Sequence, residues 1–181
     1  MAAKRIEPSL SRERMEHFHR NARALRTRLN VFGEEPIDPF ALAETFGIRI
    51  RFVDGLDVKD FSGHLAWKDG QPHVLLNRQQ TPERANVTLL EEICHLHYQH
   101  PLSALSDDGH EADPVVEQEA YQTAAAVLLP PVVIAKAVYR GTPLAELARA
   151  YGASLELVEM RVKVMGLWRE LKDHKGKGAA A

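Results

Sequence analysis

Several features that define whole classes of protein are scarce or missing in this sequence. It has one cysteine, Cys94, so an internal disulfide framework is excluded. No apolar run is long enough to cross a membrane, and residues 1–5 lack the hydrophobic stretch of a secretory signal. The net charge is only -2 over 181 residues, of which 45% are hydrophobic. We therefore expect a cytoplasmic protein with no membrane partner, folded as a single domain over residues 1–181.

The small net charge conceals an uneven distribution of charged residues. Arginines crowd residues 1–30 and lysines follow near the C-terminus, so the middle of the chain is acidic, as a cation site tends to be. Arg20, Arg23 and Arg26 lie in the predicted basic N-terminal helix, where they are candidates for salt-dependent contacts with nucleic-acid phosphates. Such a pattern more often indicates a solvated helix face with glutamate–arginine pairs.

The hydrophobic pattern predicts an α+β fold in which a small N-terminal sheet, antiparallel or mixed, precedes a mainly helical core. Helices are expected at residues 11–29 and 38–46, a strand at residues 48–53, and a hairpin about Asp69-Gly70 with strands at residues 62–68 and 72–77. After Pro82 the chain is expected to be helical apart from loops, one of them at residues 101–114. The tail at residues 175–181 is expected to be disordered.

Residues 91–95, Glu-Glu-Ile-Cys-His, differ at one position from the zinc-peptidase motif His-Glu-x-x-His. In the full motif two histidines one helical turn apart hold zinc, and the glutamate between them acts as general base. Here Glu91 takes the first ligand position, His95 takes the second, and Glu92 takes that of the base. A carboxylate can also bind zinc, so Glu91 weakens the match without excluding the metal. The alternative interpretation is an exposed acidic pair beside a core histidine.

A helix is expected to carry this motif. Thr81 has the character of an N-cap, Pro82 that of the first helical residue, and apolar residues recur after them at helical spacing. Glu91 and His95 would lie one turn apart beside the buried stripe. A cation shared by both would offset the cost of burying an unpaired carboxylate.

A third metal ligand is expected from the alanine-rich helix at residues 117–130. In zinc peptidases whose third ligand is a glutamate, that residue lies on a helix after the motif helix. Glu117 and Glu119 compete for this role, and Glu117 is favoured because it shares a helix face with Ala120 and Ala124. The alternative is an ordinary exposed carboxylate at the start of a helix.

Cys94 precedes His95 and is a further candidate for metal binding or regulation. Its thiolate would occupy the open metal position and inhibit the site until oxidised or displaced. The competing interpretation is a small buried helix residue. Other candidates for oxyanion support or for contacts around the ligands are His97, His100, His110 and Tyr121.

The C-terminal residues 140–170 have the spacing of a helix-turn-helix. A DNA-binding role is the obvious inference, but the second helix offers mainly Glu156 and Glu159 before Arg161. Carboxylates suit neither phosphates nor most base edges. We therefore expect these helices to serve in structural packing.

Five segments, taken in order, resemble a known family, the ImmA/IrrE-like metallo-endopeptidases. Residues 36–48 resemble its opening helix, residues 73–77 the strand before the motif helix, residues 84–100 the motif helix, residues 117–130 the third-ligand helix, and residues 144–167 the C-terminal helices. Glu117 stands at the ligand position of the family by its distance from Pro130. The departure is Glu91, which stands where the family normally has histidine.

The resemblance implies a zincin-like metallopeptidase core that binds Zn²⁺ and cleaves a helix-turn-helix repressor, relieving transcription of a phage, mobile-element or defence operon. DNA contact is then a possible activator. Two anionic ligands, Glu91 and Glu117, would leave the site formally neutral and the metal a weaker Lewis acid, so slow or conditional cleavage is expected. The alternative is a catalytically silent relative that serves as a regulatory scaffold or as a sensor of nucleic acid or another ligand.

Overall fold

Helices make up more than half of the residues that the structure describes, and a small sheet lies in the N-terminal half of the chain. The computed structural model describes residues 10–101 and 113–171. Its elements are α1 (Arg12–Thr27), α2 (Pro39–Thr45), β1 (Arg49–Val53), β2 (Gly63–Lys68), β3 (Gln71–Asn77), α3 (Pro82–Tyr98), α4 (Pro114–Leu128), α5 (Pro131–Arg140), α6 (Leu144–Ala150) and α7 (Leu155–Val164). The predicted α+β class is confirmed. The tail at residues 175–181, His110 and most of the loop predicted at residues 101–114 lie outside the described residues.

Side-chain caps begin several helices at the residues that the sequence indicates. Thr81 accepts a hydrogen bond from the Arg84 amide at 3.4 Å, and Pro82 follows it as the first residue of α3. Ser11 caps α1 in the same way. At α4 the prediction is three residues late, because Asp113 accepts from the Val115 amide at 2.8 Å and the helix begins there.

The sheet is mixed, with strand order β1-β3-β2. The central strand β3 pairs parallel with β1 and antiparallel with β2. The turn of the β2–β3 hairpin uses Asp69 and Gly70, both with positive φ (52° and 74°), as a tight two-residue hairpin requires. The inward residues Leu65, Val74 and Leu76 are buried. This hairpin was predicted at this position.

The helix α3 lies between the sheet and α4, and α4 in turn packs against α1. The core residues of α3 include Leu89, Leu90 and Ile93, all fully buried. The buried residues of α4 are mostly small, and alanine side chains allow a neighbouring helix to approach closely. This packing brings the second half of α3, which carries the motif residues, close to the first turn of α4.

The prediction that Arg26 contacts nucleic-acid phosphates is wrong, because its side chain is buried. It is only 3% exposed, and its guanidinium donates to the carbonyl of Val127 at 2.8 Å and to the carbonyl of Glu35. Burial lowers the pKa of its side chain. Arg26 therefore joins α1 to the end of α4, and it is removed from the predicted set of phosphate-binding arginines. Arg20 and Arg23 are exposed.

The C-terminal helices α6 and α7 form as predicted and contribute Leu147 and Val158 to the core. Arg161 of α7 is also fully buried. This agrees with a packing role for the segment. Among the helices described, none is by itself long and apolar enough to cross a membrane; only α4 and α5, which are bent by 60° at their break, meet that measure as a pair.

Candidate active site

A cleft of about 870 Å³ opens where α3, α4, α7 and the β2 end of the sheet meet. All four residues predicted as metal ligands or general base line this cleft. Three come from the motif on α3, Glu91, Glu92 and His95, and the fourth is Glu117 of α4. Tyr121 of α4, Met160 of α7 and the first residues of β2, Gly63 and His64, complete the part of the wall used below. Glu91, Glu92 and His95 of α3 and Glu117 of α4 thus line one cleft between two packed helices.

His95 and Glu117 face each other across the α3–α4 contact. The His95 Nε2 atom lies 3.6 Å from Glu117 Oε1, and the two side chains are 14% and 32% exposed. Ligand atoms about 2.1 Å from a tetrahedral zinc stand roughly 3.4 Å apart. The pair therefore fits a shared divalent metal in donor chemistry and in spacing.

The third predicted ligand, Glu91, shares the cleft with this pair but does not complete a ligand set. Among residues 10–101 and 113–171, no three His, Cys, Asp or Glu side chains are arranged to hold a metal ion together. Glu91 lies near enough to Tyr121 that its charge adds to burial in raising the pKa of that phenol to about 12. The carboxylate is thus placed on the α4 side of α3, where the pair lies.

Glu119 makes contacts that separate it from Glu117. Its Oε1 lies 2.5 Å from His17 Nε2, and its Oε2 lies 3.2 Å from His100 Nε2. His100 in turn places its Nδ1 3.1 Å from Nδ1 of His95. These contacts support the choice of Glu117 as the candidate ligand. Sequence reasoning missed His17, because it lies 102 residues from Glu119 and no local pattern links them.

Cys94 lies behind the cleft. Its side chain is fully buried and is not part of the cleft wall, whereas Glu92 and His95 of the same motif are. Burial, followed by the charges of Glu91 and Glu119, raises the pKa of the thiol well above its ordinary value. Because the sulfur is buried outside the cleft wall, the structure favours a packing role for Cys94 over that of a metal-bound thiolate.

His97 also lies away from the cleft. Its ring meets the ring of Phe46 edge-on at 6.4 Å, and burial followed by the charge of Arg28 lowers its pKa. Of the additional candidates in the described residues, Tyr121 lines the cleft and His100 contacts His95, whereas His97 does neither.

His95 and the carboxylates of Glu91, Glu92 and Glu117, which share one cleft, are residue types that metallopeptidase sites use as ligands and as base. The model of the M78 peptidase family, described as the IrrE N-terminal-like domain, matches residues 43–163, and the chain belongs to this family. The matched region contains the whole sheet and every cleft residue named above. Membership suggests a metal cofactor. No match was found among curated proteins.

Proposed function

We propose that the protein is a zinc-dependent endopeptidase that cleaves a helix-turn-helix repressor and so derepresses a phage, mobile-element or defence operon. The observation that carries the peptidase assignment is the His95–Glu117 pair at 3.6 Å in a cleft that also contains Glu92. The repressor is proposed as substrate because the resemblance to the ImmA/IrrE-like metallo-endopeptidases implies it.

His95 and Glu117 would hold the zinc, with Glu91 as the third ligand. When bound there, zinc would polarise the scissile carbonyl and stabilise the charge that develops on its oxygen. Glu91 makes the set doubly anionic where a His-His-Glu set carries one negative charge. We therefore expect slow or conditional turnover.

Glu92 is the proposed general base. It lies in the cleft beside Glu91, where it would take a proton from the attacking water and pass it to the departing amine. The phenol of Tyr121, which lines the same cleft, would donate a hydrogen bond to the oxyanion.

The sheet provides a place for an extended peptide. Of the described strands, β2 lies at one edge of the sheet, and its first residues Gly63 and His64 line the cleft. An exposed strand edge can pair with the backbone of a peptide while its side chains enter neighbouring pockets. A peptide bound in this way would run past Glu92 and His95.

The test is a cleavage assay with a helix-turn-helix repressor as substrate, comparing the native chain with Glu92→Gln. Loss of a general base costs about 10²- to 10⁴-fold in rate, so the variant should be nearly inactive while keeping its metal. Equal cleavage by both proteins would rule out the proposed mechanism.

Metal content gives a second test. Elemental analysis of the purified chain is expected to find about one zinc per protein. His95→Ala and Glu117→Ala should each lower the zinc content sharply, since each removes a proposed ligand. Full occupancy after either change would overturn the ligand assignment.

The second candidate function is a catalytically silent relative that serves as a regulatory scaffold or as a nucleic-acid or ligand sensor. It is favoured by Glu91 at the first ligand position and by the lack of a three-ligand group among the described residues. Zinc content separates the two candidates poorly, because a silent protein can still bind metal. Cleavage that depends on Glu92 separates them directly.

A further inference from the structure

Four side chains form a chain of contacts that starts at His95 in the cleft wall; we call it the relay and define it as His95, His100, Glu119 and His17. His95 Nδ1 lies 3.1 Å from His100 Nδ1, and His100 Nε2 lies 3.2 Å from Glu119 Oε2. The other oxygen of Glu119 lies 2.5 Å from His17 Nε2. The relay thus runs from the proposed ligand on α3, through α4, to α1.

Backbone geometry at the end of α3 places His100 in this relay. Gln99 adopts a left-handed conformation with φ of 55°, and the amide of His100 then donates to the carbonyl of His95 at 3.0 Å. This is the hydrogen bond of a Schellman cap. It folds the chain back, so that the rings of His95 and His100 lie 5.1 Å apart.

Tyr98 fixes the rings of the relay from the side. It stacks on His100 with ring centroids 5.1 Å apart and on His17 with centroids 6.0 Å apart. Its hydroxyl is hydrogen-bonded to Thr123 of α4 at 2.8 Å. The His100 side chain is only 8% exposed. The rings are therefore held in place by packing as well as by hydrogen bonds.

The order of donors and acceptors in the relay follows from its chemistry. A carboxylate only accepts hydrogen bonds, so Glu119 requires a proton on Nε2 of a neutral His100. Nδ1 of His100 then has a lone pair, and it can accept only from an N–H at Nδ1 of His95. This leaves the lone pair of His95 on Nε2, the atom that faces Glu117 at 3.6 Å. Metal binding requires that tautomer.

We propose that His100 and Glu119 are positioning residues that hold His95 as the Nδ1–H tautomer, with Nε2 ready to bind the metal. As far as it concerns the metal, this rests on the proposed function. Two carboxylates on α4 then have different tasks: Glu117 is a ligand, and Glu119 sets the tautomer of a ligand through His100. His17 anchors the second oxygen of Glu119 from α1.

The first test examines the metal-free protein, so its outcome does not depend on zinc. Nitrogen-15 NMR of the histidine rings, above the pH range in which histidine ordinarily titrates, distinguishes the two neutral tautomers. We expect His95 as Nδ1–H and His100 as Nε2–H. Glu119→Gln should raise the Nε2–H share of His95, because an amide can donate as well as accept. His97→Gln is the control, since His97 lies on the same helix outside the relay, and it should leave the tautomer of His95 unchanged.

Two NMR results would overturn the proposal. One is a native His95 whose proton lies on Nε2, and the other is an unchanged His95 tautomer in Glu119→Gln. If the ring signals follow the expectation but the native protein binds no zinc, the proposed function fails and the tautomer assignment stands.

The second test measures zinc affinity by competition with a chromogenic chelator. Loss of a residue that orients a ligand typically weakens metal affinity about 10- to 100-fold. We expect a loss in this range for Glu119→Gln and for His100→Ala, and none for His97→Gln. Glu117→Ala should cost more, because it removes a ligand itself. If Glu119→Gln lost as much affinity as Glu117→Ala, Glu119 would be a ligand and the relay would be wrong. Circular dichroism checks that each variant is folded.

Discussion

Glu91 stands where the full His-Glu-x-x-His motif has its first histidine, and its charge makes a testable difference. We predict that Glu91→His increases cleavage, because it removes one negative charge from the ligand set and so strengthens polarisation of the scissile carbonyl. The measurement is the rate of repressor cleavage at saturating zinc. Glu91→Gln separates charge from ligation: it removes the same charge but supplies a weaker ligand, so it should not reproduce the gain.

The opposite outcome of that experiment is equally informative. If Glu91→His loses zinc or folds poorly, the cleft is built around a carboxylate at this position, and Glu91 has a role other than that of a substituted histidine ligand. Glu92→Gln, measured beside it, should move activity in the opposite direction.

At the residue scale, sequence patterns predicted the features that depend only on neighbouring positions in the chain. Glu91, Glu92 and His95 were found because helical spacing alone sets them on adjoining positions of one helix. The burial of Arg26 could not be read in the same way, since its two partners are backbone carbonyls on other segments. The sequence therefore does not distinguish an arginine that binds backbone carbonyls in the interior from an arginine exposed to solvent.

At the element scale, the end of α3 depends on a residue that is poorly suited to its conformation. Gln99 is exposed and has φ of 55°, a region that side chains with a Cβ adopt at a cost of about 1 kcal/mol. We predict that Gln99→Gly raises the free energy of unfolding by up to about 1 kcal/mol, as measured by urea denaturation. Gln99→Val should lower it, because a β-branched residue is still less tolerant of positive φ. A loss of stability in the glycine variant would contradict this account.

The contact between β2 and α3 depends on the absence of a side chain at Gly63. A Cβ built there would lie 2.5 Å from Cγ2 of Thr88 and 3.3 Å from the carbonyl oxygen of Leu75. We predict that Gly63→Ala lowers the free energy of unfolding by about 1–3 kcal/mol, the usual cost of overpacking.

Thr88→Ser is the compensating substitution for Gly63→Ala, because it removes the methyl group that the new Cβ would contact. It removes the Cγ2 methyl and keeps the hydroxyl that donates to Gln80 at 2.9 Å. The double variant should therefore regain part of the stability that Gly63→Ala loses. Strict additivity of the two changes in urea unfolding would show that the strain lies elsewhere, against the backbone of β3.

The elements themselves were largely predictable, and their assembly was not. Caps such as Thr81 and the Asp69-Gly70 turn are local signals, and both appear in the structure. The parallel pairing of β1 with β3 was left open, because strand order depends on contacts between distant segments. The contact between His17 of α1 and Glu119 of α4 was not predicted for the same reason, since the two residues are distant in the sequence.

At the scale of the whole molecule, the basic surface of α1 is the place where a nucleic acid would act as a regulatory partner. We predict that any binding there weakens steeply with salt. It should weaken further in the double variant Arg20→Ala, Arg23→Ala, and with a shallower salt dependence, because two phosphate contacts are lost. The measurement is fluorescence anisotropy with single-stranded and duplex DNA. Arg140→Ala with Arg149→Ala, two exposed arginines on α5 and α6, is the charge-matched control. If the affinity changed neither with salt nor in the α1 variant, or if no binding occurred at low salt, nucleic acid would be excluded as a regulatory partner.

From the contact between α1 and α7 we expect the stability of the molecule to depend on pH. Nε2 of His19 lies 3.2 Å from Nη2 of the fully buried Arg161. Burial, then the charges of Arg161 and Arg23, lower the pKa of His19 from 6.5 to about 4, against a smaller opposite effect of Glu16. Between these two values the unfolded chain binds a proton that the folded chain does not.

The stability that neutral His19 contributes is therefore fully present above pH 6.5 and is lost as the pH falls towards about 4. We predict that urea unfolding, measured across this window, shows a progressive fall in the free energy of unfolding. His19→Gln should flatten the fall, because its amide does not titrate. Arg161→Met should also reduce it, since removing the buried charge allows His19 to bind a proton at higher pH. A variant at position 19 that loses stability with acid as steeply as the native chain would show that other groups govern the transition.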